Sequence, residues 1–142
     1  MRVVADTNTL ISGLLWHGPP RRVLDAARDG TITLYTSTVL LAELKETLNR
    51  PKFAERLKLA RVQAKDLIQG FTALAMLVVP ADIRPVVTAD PDDDAVLACA
   101  LAAQAHAIVS GDSDLLRLKK YADIPILTAP QLLDQLAESD SE

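Results

Sequence analysis

Residues 91–114 read PDDDAVLACALAAQAHAIVSGDSD. Asp90-Pro91 suits the cap and first position of a helix, and the Ala, Val and Leu run predicts that it continues to about Gln104. His106 falls at the turn, Ala107 to Ser110 reads as a short strand, and a short helix follows near Leu115. Asp112 and Asp114 therefore stand just beyond the carboxyl end of a strand.

The rest of the chain alternates in the same way. Arg2 to Ala5 is a strand candidate. Pro20 to Asp29 is helical and stops at Gly30. Thr31 to Tyr35 is a second strand, and Ser37 to Asn49 is a helix with Val39, Leu40, Leu44 and Leu48 at helical spacing. Pro51 opens another helical stretch and Val62 to Ala75 a third. Met76 to Val79 and Ile124 to Leu127 are strands, and Ala129 to Ala137 is the last helix. Such alternation predicts an α/β fold with a mainly parallel central sheet between helical layers. Residues 1–137 form one domain on this reading, and 138–142 form an acidic, frayed tail.

The chain has 142 residues and a formal net charge of −4, with 49% hydrophobic and 24% charged residues. This excludes a disordered chain and, on global charge, a simple polycationic nucleic-acid binder. Cys99 is alone, and His17 and His106 are the only histidines, so no thiolate or multi-histidine metal site can be built. Five aromatic residues are too few for a base-stacking sheet. Asp6 follows only three apolar residues, too short a run for an export signal, and no stretch is long enough to span a membrane. A cytoplasmic protein is the expectation.

Chemistry must then come from carboxylates. In an open α/β sheet, ligands bind beyond the carboxyl ends of the strands. Asp6 follows the first strand, Asp112 and Asp114 the strand at Ala107, and Asp90, Asp92, Asp93 and Asp94 crowd a helix start. Glu43 lies two turns into the helix from Ser37. Capping accounts for Asp90, and it can account for Asp112 and Asp114, but it offers no reason for Asp6 at the end of a strand. Like charges about 4 Å apart repel by roughly 4 kcal/mol at an effective dielectric near 20, so a cluster needs protons or a cation. An all-oxygen donor set favours Mg²⁺ or Mn²⁺.

The motifs resemble those of PIN-domain nucleases. Val3-Val4-Ala5-Asp6-Thr7-Asn8, with Leu10-Ile11-Ser12, is similar to their opening motif. Ser37-Thr38-Val39-Leu40-Leu41-Ala42-Glu43-Leu44 is similar to the second, Asp90 to Ala100 to the third, and Val109-Ser110-Gly111-Asp112-Ser113-Asp114 to the fourth. The Ser-Gly-Asp and Asp-Pro-x-Asp forms resemble the VapC-related toxin branch of type II toxin–antitoxin systems. The resemblance implies a three-layer α/β/α sandwich with a helical hairpin inserted after the second strand. It implies a Mg²⁺-dependent endoribonuclease, Mn²⁺ substituting, with Asp6, Glu43, Asp93 and Asp112 as the acidic quartet. Asp6, Asp93, Asp112 and Asp114 would hold metal, and Asn8 and Ser110 would hydrogen-bond those ligands. The family places its third acid seven residues before the small residue matching Ala100, which selects Asp93; Leu97 shares its helix face, and Asp94 is the alternative. A cognate antitoxin and a homodimer are the partners implied.

RNA phosphates need cations. Seven basic residues lie between Lys45 and Lys65 against Glu46 and Glu55 alone. Lys119 and Lys120, close in sequence to Asp112, are the candidates for RNA contact. A dehalogenase-like phosphotransfer enzyme would need an aspartate where Asn8 stands. An RNA- or protein-binding module with little or no catalysis is the competing reading.

Overall fold

The computed structural model describes residues 1–86 and 91–140. Six strands form one sheet in the order β3-β2-β1-β4-β6-β5. The strands are β1 (Arg2–Ala5), β2 (Thr33–Thr36), β3 (Met76–Leu77), β4 (Ala107–Val109), β5 (Lys120–Tyr121) and β6 (Ile124–Leu127). All pairings are parallel except β5 with β6. In register, Val4 lies opposite Tyr35 on one side and Ile108 on the other, and Ile108 opposite Ile126.

The helices are α1 (Thr7–Leu15), α2 (Pro19–Arg28), α3 (Thr38–Leu48), α4 (Ala54–Ala60), α5 (Ala64–Leu74), α6 (Pro91–Ala103), α7 (Ser113–Leu118) and α8 (Ala129–Asp140). They form two layers because successive strand residues face opposite sides. Val3, Ala5, Leu34, Ala107 and Val109 share one buried cluster with residues of α1, α2, α3, α5 and α8. Val4, Ile108 and Ile126 share the other with α6, Leu115 of α7 and Leu40. The result is the expected three-layer sandwich, and α3, a 3₁₀ turn at Pro51–Phe53, α4 and α5 fill the connection between β2 and β3.

Two elements differ from the sequence expectation in kind. Helix α1 follows β1 at once, where no helix was expected; Leu10, Ile11, Leu14 and Leu15 carry its apolar spacing, and Leu10, Ile11 and Leu15 are buried. Strand β5 is a two-residue antiparallel edge, too short to carry a periodic signal. The second strand starts two residues later than expected, since Thr31 is held in a turn by Asp29, whose Oδ1 accepts the Thr31 N–H at 2.9 Å. Helix α8 continues to Asp140, into the segment expected to fray, and residues 141–142 lie outside the described residues.

Gly13 sets how closely α1 and α2 meet. A Cβ there would lie 2.7 Å from both the Pro20 carbonyl oxygen and Leu24 Cδ1, so only glycine allows this approach. The Arg21 guanidinium then donates to the Gly13 carbonyl and, at 3.1 Å, to that of Leu14, satisfying carbonyls in the last turn of α1. Cys99 is fully buried, and burial pushes its thiol up to about 12. That fits a core role. Trp16 is 42% exposed, edge-on to Phe53 with the Arg56 guanidinium over its ring.

Candidate functional site

The chain leaves β1 toward β2 and β3 on one side, while β4 and β6 lie on the other, so the order switches between β1 and β4. A crevice opens at such a point beyond the strand ends. Asp6 and Ser110 are the first residues after those two strands. The Asp6 N–H donates to the Val109 carbonyl at 3.1 Å, which carries the ladder to the crevice floor.

Asp6 is buried, and both its oxygens are used. Oδ1 accepts the Thr9 N–H at 2.9 Å, and Oδ2 accepts the Ser110 hydroxyl. Asp6 therefore caps α1, which corrects the expectation that capping gives no reason for an acid here. Ser110, 1% exposed, accepts the Asp112 N–H at 2.9 Å through the same oxygen. One hydroxyl thus bridges two acidic segments, donating to one and accepting from the other. Asp112 Oδ1 accepts from Asp114 N–H at 2.7 Å and Leu115 N–H at 3.3 Å, capping α7.

Asp6, Glu43, Asp92, Asp93 and Asp112 line one small pocket with Thr7, Asn8 and Val96. Glu43 comes from α3, whose start is set by Ser37 Oγ accepting the Leu40 N–H at 3.2 Å. Asp93 stands in the first turn of α6 and is 6% exposed, one turn from fully buried Leu97. Asp94 is turned elsewhere, its Oδ1 accepting the Val86 N–H at 3.1 Å. Asp90 lies outside the described residues. Asp93, Asp112 and Asp114 each offer an oxygen within 4.8 Å of the others, a spacing at which they could hold one metal ion. The donors are carboxylate oxygens throughout, which fits a hard divalent cation. Asp93 and Asp112 belong to both sets and are the centre of the site.

The acids from three segments thus meet, as the sequence spacing suggested, and Asp92 joins them. Its place in the Asp90–Asp94 cluster was the only sign of it. Asn8 reaches the pocket wall but is exposed, and its side chain makes no hydrogen bond to the described residues. Lys119 and Lys120 do not line the pocket. Helix α7 follows Asp112, and Lys120 pairs with Pro125 on the edge, its ammonium 3.9 Å from Asp123. Among the described residues, no helix is long and apolar enough to cross a membrane.

A solved structure of the PIN domain of RRP44 from T. brucei is similar at 15% identity and a TM-score of 0.48, covering 99% of this chain and 83% of that one. No curated protein matches the chain. The profile of the PIN domain family matches residues 2–114, from the start of β1 through Asp114 at the site. That span takes in every acid just described, and the chain belongs to the PIN domain family.

Proposed function

We propose that this chain is a Mg²⁺- or Mn²⁺-dependent endoribonuclease that hydrolyses phosphodiesters of single-stranded RNA, and that it is the toxin of a type II toxin–antitoxin pair. The observation that carries the nuclease reading is the convergence of Asp93, Asp112 and Asp114 beside Asp6 and Glu43 at the strand-order switch. The Ser-Gly-Asp and Asp-Pro-x-Asp forms support the toxin branch, and with it a homodimer, a cognate antitoxin and a cytoplasmic location.

In this reading Asp6, Asp93, Asp112 and Asp114 hold the metal, with Asp93, Asp112 and Asp114 close enough to share one ion. When bound, such an ion lowers the pKa of a water and stabilises charge developing on the phosphate. Glu43 adds negative charge on the α3 side of the crevice, and its carboxylate can accept a proton from the attacking water. Asp6 is fixed by the Thr9 N–H and Ser110 hydroxyl, so its orientation is set before substrate arrives. Residues 1–137 act as one domain.

Incubation of the purified chain, free of any co-expressed partner, with labelled single-stranded RNA tests this reading. Cleavage is expected with Mg²⁺ or Mn²⁺ and none with EDTA, together with a metal-induced rise in melting temperature. No cleavage and no rise would overturn it in favour of a binding module.

Ser110→Ala removes the donor to Asp6 and the acceptor of the Asp112 N–H in one change. A loss of about 1–3 kcal/mol in unfolding free energy is expected from the stranded buried groups. Cleavage is expected to fall about 10–100-fold, the usual cost of losing a group that orients metal ligands. Urea unfolding and initial rates measure the two. Unchanged rates would show that the Ser110 bridge does not orient the acids.

A further inference from the structure

Next to the acidic pocket lies a groove of about 410 Å³ that shares Asn8 and Asp112 with it. We infer that this groove is a nucleoside subsite, receiving the base and ribose of the nucleotide whose phosphate sits at Asp93 and Asp112. The inference rests on the nuclease reading above.

One wall comes from Ser12, Pro19 and Pro20, and the other from Gly111, Thr128 and Pro130. Its size falls within the roughly 300–1,000 Å³ range of small-ligand sites. Among the described residues that line it, Asp112 alone is charged, and none is a cation to attract a second phosphate. The chemistry suits the neutral part of a nucleotide. The pyrrolidine rings offer apolar C–H surface to a base, while Ser12, Thr128 and Asn8 offer hydroxyl and amide groups to its edge. Single-stranded RNA is read in this way, from unstacked bases with their hydrogen-bonding edges open.

Both walls are built to hold their shape. Gly13 lets the Pro20 carbonyl approach α1, and Arg21 ties α2 to the end of that helix. On the far side, Thr128 N–H donates to Gln131 Oε1 at 2.9 Å and Gln131 N–H to Thr128 Oγ1 at 3.3 Å, a reciprocal cap at the start of α8. The Ser110 N–H donates to the Leu127 carbonyl at 2.9 Å, which fixes this wall to the strand that ends at the acids. A groove ordered before binding loses less entropy when it is filled.

The test is amide chemical-shift titration of the whole chain in Mg²⁺ with AMP, GMP, CMP or UMP, and separately with inorganic phosphate. None of these probes has an internucleotide bond to cleave. The nucleotides are expected to shift the amides of Ser12, Thr128 and Ala129, and phosphate those around Asp93 and Asp112 alone. Ser12→Phe and Gly111→Leu add bulk to two residues of the groove lining; a Cβ at Gly111 meets nothing within 4 Å, so the backbone there accepts a side chain. Each is expected to weaken nucleotide binding at least about tenfold while phosphate binding holds. If either variant fails to fold, the wild-type comparison of nucleotide with phosphate decides alone. Nucleotide shifts confined to the residues that phosphate moves would overturn the subsite and leave the nuclease reading intact. No shift with any probe, and no RNA cleavage, would overturn both.

Discussion

Asp93→Asn is expected to lower kcat/KM for RNA cleavage by at least about a hundredfold, or roughly 2.7 kcal/mol of transition-state stabilisation. Asparagine keeps the shape of the side chain and removes its charge. Asp93 is buried and, like Asp112, belongs to both the acidic pocket and the three-carboxylate group, so it has a central share in any cation held there. The same variant should show a second effect of opposite sign. In EDTA, like-charged oxygens within 4.8 Å repel by about 3–4 kcal/mol at an effective dielectric near 20. The favourable position of Asp93 at the start of α6 returns about 0.3–1 kcal/mol. Metal-free Asp93→Asn should therefore melt higher than the metal-free wild type, and the metal-induced rise should vanish. Calorimetry with and without Mg²⁺, beside initial rates, measures both. Cleavage that survives the substitution would move the central acid elsewhere, with Asp92 next in line because it lines the same pocket.

Leu97→Ala should destabilise the fold by about 2–5 kcal/mol, the range for deleting a fully buried leucine side chain. Leu97 is 0% exposed and packs in the cluster of Val4, Ile108 and Ile126. Its helix neighbours there include Cys99, Ala100 and Ala103, side chains too small to fill the space left. Total stability of a domain is about 5–15 kcal/mol, so a fall in melting temperature of roughly 5–20 °C is expected. Asp93 stands one turn before Leu97, so the cavity would also loosen the site. Activity per folded molecule should still fall far less than in Asp93→Asn, since the carboxylate remains. Urea unfolding and low-temperature rates separate the two effects. A loss below about 1 kcal/mol would mean that α6 closes over the gap.

Much of this was legible along the chain because it depends on local pattern. Short β-branched runs between helical spacings dictate an α/β sheet, and acids within three residues of the ends of parallel β1 and β4 stand at one edge of the sheet. Asp93 could be preferred over Asp94 because Leu97, four residues on, fixes which side of α6 is buried, and Asp94 indeed turns to the Val86 N–H. Other features needed the packed molecule. Whether Asp6 caps a helix depends on α1, whose apolar spacing follows so closely on β1 that the strand signal hides it. The Ser110 bridge joins residues 104 apart in sequence, and no local rule selects that partner. The nucleoside groove needs α1, α2 and the start of α8 side by side, a contact set by side-chain volume at Gly13 and by sheet order. Period and spacing act over a few residues; direction and distance between elements arise only when the two layers close on the sheet.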